Sequence, residues 1–172
     1  ELGTRRIRLT GGEPLTRKHL ADLVARLSAL PGLEDLSLST NATLLAAQAA
    51  DLKAAGLRRL NISLDTLDRQ KFARITGRDV LPQVLAGIDA ALVAGFGHIK
   101  LNAVALPDTS SAEIENLFAY AIERGLTLRL IEPMPMGDTG RAHAAASLET
   151  TRLVLAEKFG LTYEEARGLV PL

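Results

Sequence analysis

Side chains that can hold an anionic ligand recur at matching places in a series of short, strand-like segments. Three of them are cationic, namely Arg8, Lys100 and Arg129. Guanidinium and ammonium groups bind phosphate through charge-assisted hydrogen bonds, Arg as a planar fork and Lys as a point charge. Three such groups on one surface are enough to hold a polyphosphate, so the pattern predicts an anion-binding site.

Each segment alternates polar with apolar residues, as a β-strand with two different faces does. The polar alternates are Arg8 and Thr10; Ser37 and Ser39; Asn61, Ser63 and Asp65; Lys100 and Asn102; Thr127 and Arg129. Burying so many polar groups without partners costs about 1–3 kcal/mol each, so their face must be open, wet or filled by a polar ligand. We expect Arg8, Ser39, Lys100 and Arg129 to point into one cavity, with Leu9 on the opposite face.

The first of these segments ends in Gly11-Gly12-Glu13-Pro14. Glycines let the backbone turn sharply and approach a ligand closely, and Pro14 has no N–H to continue a sheet ladder. A simple strand-ending turn would explain these four residues without any ligand. The polar ends of four later strands favour a binding site instead.

Strands alternate with helices along the whole chain. Strands are predicted at 7–10, 33–41, 60–65, 99–104 and 127–131, and helices at 15–30, 43–56, 68–75, 80–94, 114–124 and 148–159. Gly56, Gly95 and Gly125 each close a helix shortly before a strand, which implies right-handed βαβ crossovers and a parallel sheet. The pattern predicts an α/β fold, a partial TIM-like (β/α) barrel in one domain over residues 1–172. A doubly wound open sheet is the alternative.

Three local features sharpen this outline. Asp68 is expected to cap a helix, and Ser110 with Glu113 forms a capping box. Glu132 is out of step with Arg129, so the last strand must end before it or contain a bulge. An edge of the sheet is expected to be unpaired near residues 6–9.

Composition excludes several other functions. The 172 residues are 47% hydrophobic, which suits one globular core, and 20 Lys and Arg balance 20 Asp and Glu. Net charge therefore indicates neither a nucleic acid nor a membrane as partner, and any useful positive charge must be local. No run of 18 apolar residues and no signal peptide is present, which favours a cytoplasmic protein.

The chain has no cysteine, so these residues offer no thiolate to zinc or iron–sulfur clusters. His19, His98 and His143 share no metal-ligand spacing, and no metal site is predicted.

The ordered set of motifs resembles the radical S-adenosylmethionine (SAM) enzymes and, within them, the GTP 3′,8-cyclase family of molybdenum-cofactor biosynthesis. The matching segments are residues 8–14 (RLTGGEP), 39–41 (STN), 61–67 (NISLDTL), 100–104 (KLNAV) and 132–137 (EPMPMG). The Gly-Gly-Glu-Pro segment alone indicates only the superfamily. The full series, in order and at the family's spacing up to about Phe159, is specific to the cyclases.

The resemblance implies ligands and a reaction. Gly12, Ser63 and Met134 would contact SAM, although Met134 suits core filling equally well. The implied GTP contacts are Arg8, Ser39 and Lys100. Reductive cleavage of SAM would yield a carbon radical that removes the C3′ hydrogen of GTP, and the resulting substrate radical would attack guanine C8. GTP, SAM and an electron donor are the implied partners, with two [4Fe-4S] clusters as cofactors and a homodimer as one oligomeric state.

The chain departs from the family pattern in several places. Asn41-Ala42 stands where the family often has Asn-Gly, so a left-handed turn there would be strained, and Ser39 replaces a common Thr. The family's CxxxCxxC loop is expected before Glu1 and its second cysteine set after Leu172, so the chain is expected to be a barrel core without turnover of its own. A non-catalytic nucleotide- or phosphate-binding module, or a radical SAM enzyme with a peptide or other substrate, are the alternatives.

Overall fold

A five-stranded parallel sheet lies at the centre of the computed structural model, which describes residues 3–133 and 148–162. The strands are β1 (Arg6–Leu9), β2 (Asp35–Thr40), β3 (Arg59–Ser63), β4 (Ile99–Val104) and β5 (Thr127–Ile131). They are paired in chain order, with β1 and β5 at the two edges of the sheet. Among residues 3–133 and 148–162, β1 pairs only with β2, as predicted for residues 6–9. A doubly wound sheet would reverse its strand order at a switch point, and this sheet does not.

Six α-helices accompany the sheet in the described ranges. They are α1 (Leu20–Ser28), α2 (Ala49–Ala54), α3 (Arg69–Thr76), α4 (Leu81–Val93), α5 (Ser111–Glu123) and α6 (Leu148–Phe159). None of them is long and apolar enough to cross a membrane. Several predicted ends are confirmed: Asp68 accepts the Lys71 N–H at 2.6 Å, the Ser110–Glu113 capping box is formed, and β5 ends before Glu132.

Two predicted helices are wrong in extent. Residues 15–30 and 43–56 each begin with a separate 3₁₀ turn, Pro14–Thr16 and Leu45–Ala47, before the α-helix starts. In the first, the Arg17 N–H donates to the Pro14 carbonyl, and His19 lies in the left-handed region with φ 59°. Strand β3 also ends at Ser63, two residues earlier than predicted. The segments that follow β1 and β2 therefore contain short 3₁₀ turns of their own and are not part of helices α1 and α2.

The apolar alternates of the strands form the core. Leu38, Ile62 and Leu101 are each 0% exposed and belong to one cluster with Val24 of α1 and Ile88 of α4. The helices thus share their buried faces with a single face of the sheet, as in a (β/α) barrel. The predicted register is confirmed, because apolar side chains lie towards the helices and polar ones lie on the other face.

The loop after β2 contains a strained turn against α4. Ala42 has φ 60° and is fully buried, which confirms the expected left-handed conformation at a residue with a Cβ. Helix α4 approaches this turn through Gly87. A Cβ on Gly87 would lie 2.5 Å from the Ala42 carbonyl oxygen, which is closer than atoms pack. Glycine at position 87 is therefore required by the packing of α4 on the loop.

We predict that Gly87→Ala lowers the free energy of unfolding by about 1–3 kcal/mol, because relief of the overlap needs movement of the backbone. This loss outweighs the gain of about 1 kcal/mol in helix propensity. Urea denaturation would measure it. Gly97→Ala is the matched control, since its Cβ would meet no described atom within 4 Å. Equal stability of the two variants would contradict the packing argument.

Candidate functional site

A cavity of about 230 Å³ opens on the polar face of the sheet. Its lining residues are Arg8, Ser37, Arg59, Leu60, Asn61, His98, Ile99, Lys100, Thr127 and Arg129. The strand register arranges the cations in successive rows across the sheet. Arg8 and Arg59 flank Ser37 in one row, Lys100 lies between Asn61 and Thr127 in the next, and Arg129 pairs with Asn102 beyond it.

The cavity is strongly electropositive. Burial, together with the positive charges of Arg129, Arg59 and Arg8, holds the pKa of Lys100 below its usual range. No Asp or Glu of the described ranges lines the cavity. An anion would relieve the mutual repulsion of these groups, so the site is suited to a polyanionic ligand.

Three of the four side chains expected in one cavity are found there: Arg8, Lys100 and Arg129. Ser39 is not among the lining residues, and its role as a ligand contact stays a prediction. Ser39 is half-buried and pairs with Asn61, but on β2 the cavity is lined by Ser37, two residues nearer the start of the strand. The cavity extends towards the amino-terminal ends of the strands, and the short side chain of Ser39 is not part of its wall.

Four lining residues were not predicted from the sequence: the polar residues Arg59 and His98, and the apolar residues Leu60 and Ile99 that follow them. Only the two polar ones could contact an anion directly. Each stands two residues before a polar alternate that was recognised, Asn61 and Lys100 respectively. In a strand every second residue lies on the same face, so continuing the polar pattern two residues towards the amino terminus would have predicted both. They were overlooked because they lie at the strand starts, where a strand is hard to delimit from sequence.

A second group of predicted residues lies at the carboxyl ends of the strands. Gly12 is exposed after β1 and outside the left-handed region, and a Cβ there would meet no described atom within 4 Å. Nothing in the described protein therefore demands glycine at this position. Ser63 is exposed at the end of β3. Met134 lies outside the described residues. Gly11, with φ 140°, is the glycine that the turn itself requires.

Glu13 ties the glycine turn to the end of β2. Its carboxylate accepts hydrogen bonds from the Thr40 hydroxyl at 2.6 Å, the Asn41 N–H at 2.8 Å and the Leu15 N–H at 3.0 Å. The acid of the Gly-Gly-Glu-Pro segment is thus occupied by protein donors. Its role in this structure is to position the backbone of Gly12 relative to the neighbouring strand.

Two polar groups near the same ends of the strands are buried at a cost in free energy. Asp65 follows β3, and burial raises the pKa of its carboxyl, while the hydrogen bond from the Val104 N–H at 2.8 Å acts in the opposite direction. The side-chain oxygen of Asn102 is buried and has no partner among the described residues. An unpaired buried acceptor costs about 1–3 kcal/mol, which is typical of a site that a ligand completes.

A parallel sheet in chain order, with ligand-suited groups on its inner face, is the architecture of radical SAM barrels. The family model described as the radical SAM superfamily matches residues 1–121. The chain therefore belongs to the radical SAM superfamily. Solved structures of the same fold include HydG, a maturase of the [FeFe]-hydrogenase (TM-score 0.69, 15% identity, 90% of this chain and 38% of that one). Another is Streptococcus suis SuiB bound to S-adenosylmethionine (TM-score 0.66, 19% identity, 90% and 35%).

The more similar relatives share one name, GTP 3′,8-cyclase. The protein of Ectopseudomonas mendocina is 56% identical over 136 residues, covering 79% of this chain and 41% of the relative. That of Gloeobacter violaceus is 52% identical over 162 residues, covering 93% and 50%. The chain thus spans about half the length of the curated relatives it matches.

We predict that Glu13→Gln lowers the free energy of unfolding by about 1–3 kcal/mol. The amide replaces one acceptor oxygen with a donor, which faces the N–H groups that the carboxylate now accepts from. Denaturant midpoints would measure the loss. Glu34→Gln is the control, since it removes a carboxylate from an exposed ion pair with Arg5, worth about 0–1 kcal/mol. If the Glu13 variant were as stable as this control, the hydrogen bonds between Glu13 and the end of β2 would not contribute to stability as argued.

We predict that Asp65→Asn gains stability relative to the unsubstituted protein as pH rises from about 4 to 7. The raised pKa means that the folded state disfavours the ionised carboxyl of Asp65. Below pH 3.8, the pKa in the unfolded chain, the carboxyl is protonated and causes no loss. As pH rises through the folded-state pKa, the carboxyl ionises and stability is lost. Asparagine removes this loss. Unfolding free energies at both pH values, with Asp51→Asn as an exposed control, would test it. A difference independent of pH would contradict the shift.

Proposed function

We propose that this chain is the barrel core of a GTP 3′,8-cyclase. The reaction is the SAM-dependent cyclisation of GTP to (8S)-3′,8-cyclo-7,8-dihydroguanosine 5′-triphosphate in molybdenum-cofactor biosynthesis. One observation carries the proposal: relatives named GTP 3′,8-cyclase are 46–56% identical to this chain over 79–99% of its length. The match to a Pseudomonas putida relative covers 99% of this chain and so spans both the cationic cavity and the glycine turn. Belonging to the superfamily alone would leave the substrate open.

In this proposal the cavity receives the triphosphate of GTP. Arg8 and Lys100 are its direct cationic contacts, supported by their positions in two neighbouring rows of the cavity wall. Ser39 is proposed as a further contact from the same face of the sheet. It pairs with Asn61 of the wall, but it adjoins the cavity instead of lining it. Arg129 adds the third charge that the sequence pattern indicated.

The residues at the carboxyl ends of the strands fit SAM. The open backbone of Gly12 can be approached closely, the Ser63 hydroxyl is exposed, and the unpaired oxygen of Asn102 offers an acceptor in the neighbouring strand. Gly12 and Ser63 are therefore proposed to bind and orient SAM, and Met134, which lies outside the described residues, is proposed with them on the resemblance of the EPMPMG segment alone. When bound, SAM supplies the radical chemistry, whereas these residues position it and exclude competing reactions. An electron donor is a necessary partner, because reductive cleavage consumes an electron.

The [4Fe-4S] clusters do not fit the residues of this chain. Clusters of this kind are held by cysteine thiolates, and the 172 residues contain none. No step of the reaction is therefore assigned to a cluster bound by this sequence. The contribution of this chain to catalysis is to bind and orient the two organic ligands at opposite ends of the same sheet face.

We predict that Lys100→Ala in the intact protein weakens GTP binding roughly ten- to a hundredfold, the usual effect of losing a charge-assisted contact. SAM has no phosphate and lies at the other end of the strands, so its affinity should change little. Calorimetric titration of each ligand at fixed ionic strength would measure both, because salt screens the charge.

Lys158→Ala is the control for this experiment, since it removes an equal charge from α6, where Lys158 pairs with Glu115. Equal losses for GTP and SAM would mean that Lys100 supports the barrel instead of the substrate. An unchanged GTP affinity would remove Lys100 from the site.

A further inference from the structure

Arg59 is a cation of the cavity that the proposed contacts leave without a role. It is the first residue of β3, and Ser37 separates it from Arg8 in the same row. Ser37 is small and buried, so the two arginines flank a gap above a short side chain. Together they form the floor of the cavity, which is the row of side chains at the start of β3.

The cavity has four cations that can meet the phosphates of a nucleotide. They are Arg8, Arg59, Lys100 and Arg129; no acid of the described ranges lines the cavity, and Asp35, which pairs with Arg59 from outside the lining, offsets one of the four charges. The terminal phosphate distinguishes a nucleoside triphosphate from a diphosphate, and it holds about 1.5–2 negative charges. It is the group that the N–H donors of Arg59 would contact.

The positions of the two ligands place that phosphate at the floor. Ser63, in the proposed SAM region, and Arg59 are the two ends of β3, four residues or about 13 Å apart. The ribose must lie near SAM for the reaction to occur, so the phosphate chain extends away from it towards the strand starts. The last phosphate then reaches the row of Arg8 and Arg59, beyond the row of Lys100.

Asp35 pairs with the half-exposed Arg59 side chain and favours one orientation of it. Its carboxylate forms an ion pair with one terminal nitrogen of the Arg59 guanidinium, and the Asp35 side chain is only 15% exposed. A guanidinium has five N–H donors, so this contact leaves others available to a phosphate. An arginine already ordered by an ion pair loses less conformational freedom when it binds, which favours recognition of a particular geometry.

We propose that Arg59 is a specificity-determining residue that contacts the terminal phosphate and makes the cavity select a nucleoside triphosphate over a diphosphate. The inference rests on the proposed function, since it assumes that a nucleotide occupies this cavity. It adds a residue and a selectivity to that function. Asp35 is the positioning residue, because it acts through Arg59.

Equilibrium binding to the intact protein tests this proposal without turnover. GTP, GDP and inorganic tripolyphosphate are titrated calorimetrically, at fixed ionic strength, into the unsubstituted protein, Arg59→Ala and Arg59→Lys. Arg59→Ala is expected to weaken GTP and tripolyphosphate about tenfold and GDP less than twofold, so that the preference for GTP disappears. Arg59→Lys keeps the charge but loses the fork, and an intermediate preference is expected.

Arg58→Ala is the matched control, because it removes the same charge one residue away. Arg58 donates to the Glu34 carbonyl and does not line the cavity, so it should leave the GTP-to-GDP ratio unchanged. Three results would overturn the inference while leaving the proposed function intact. Arg59→Ala could lose affinity for GTP and GDP equally, it could lose none, or Arg58→Ala could lose as much affinity for GTP as Arg59→Ala does. Failure of the unsubstituted protein to bind GTP would overturn the proposed function and the inference with it. Thermal melts confirm that each variant is folded.

Discussion

The register of the parallel sheet, set by burial of one face, is the constraint on which the rest of the structure depends. Leu38, Ile62 and Leu101 are fully buried against the helices. Burial of each side chain contributes about 1.5–3 kcal/mol to the free energy of folding. Repulsion between cations of the opposite face is about 1 kcal/mol or less per pair where water reaches them. The free energy gained by burying the apolar face is therefore larger than the cost of this repulsion. A slip of one residue would exchange the faces, so the hydrophobic core determines where the charges lie.

The cost of this arrangement is concentrated where a ligand would reduce it. Arg8, Arg59 and Arg129 hold the pKa of Lys100 down together with burial, and the Asn102 oxygen has no partner in the described ranges. Both of these costs fall on the inner face of the sheet. A ligand that binds the folded state here would stabilise it by mass action. Stability and binding are thus linked through the same side chains.

The Gly-Gly-Glu-Pro segment divides its work between structure and ligand. Gly11 permits the turn through its positive φ, and Glu13 joins the turn to Thr40 and Asn41. Gly12 is left with open backbone that no described side chain covers. One short motif therefore provides both the scaffold and the surface that it presents.

Sequence by itself determined the strands, the two faces and the meeting of Arg8, Lys100 and Arg129, because a period of two is a local property of the chain. Helix caps such as Asp68 were equally readable, since their partners lie three residues away. The same period places both Arg59 and Ser39 on the polar face; only the tertiary structure decided how far along the strands the cavity extends, so that Arg59 lines it and Ser39 does not, and that Glu13 binds the end of β2. These outcomes depend on strand register and on donors more than 20 residues distant, and no local pattern in the chain encodes those distances.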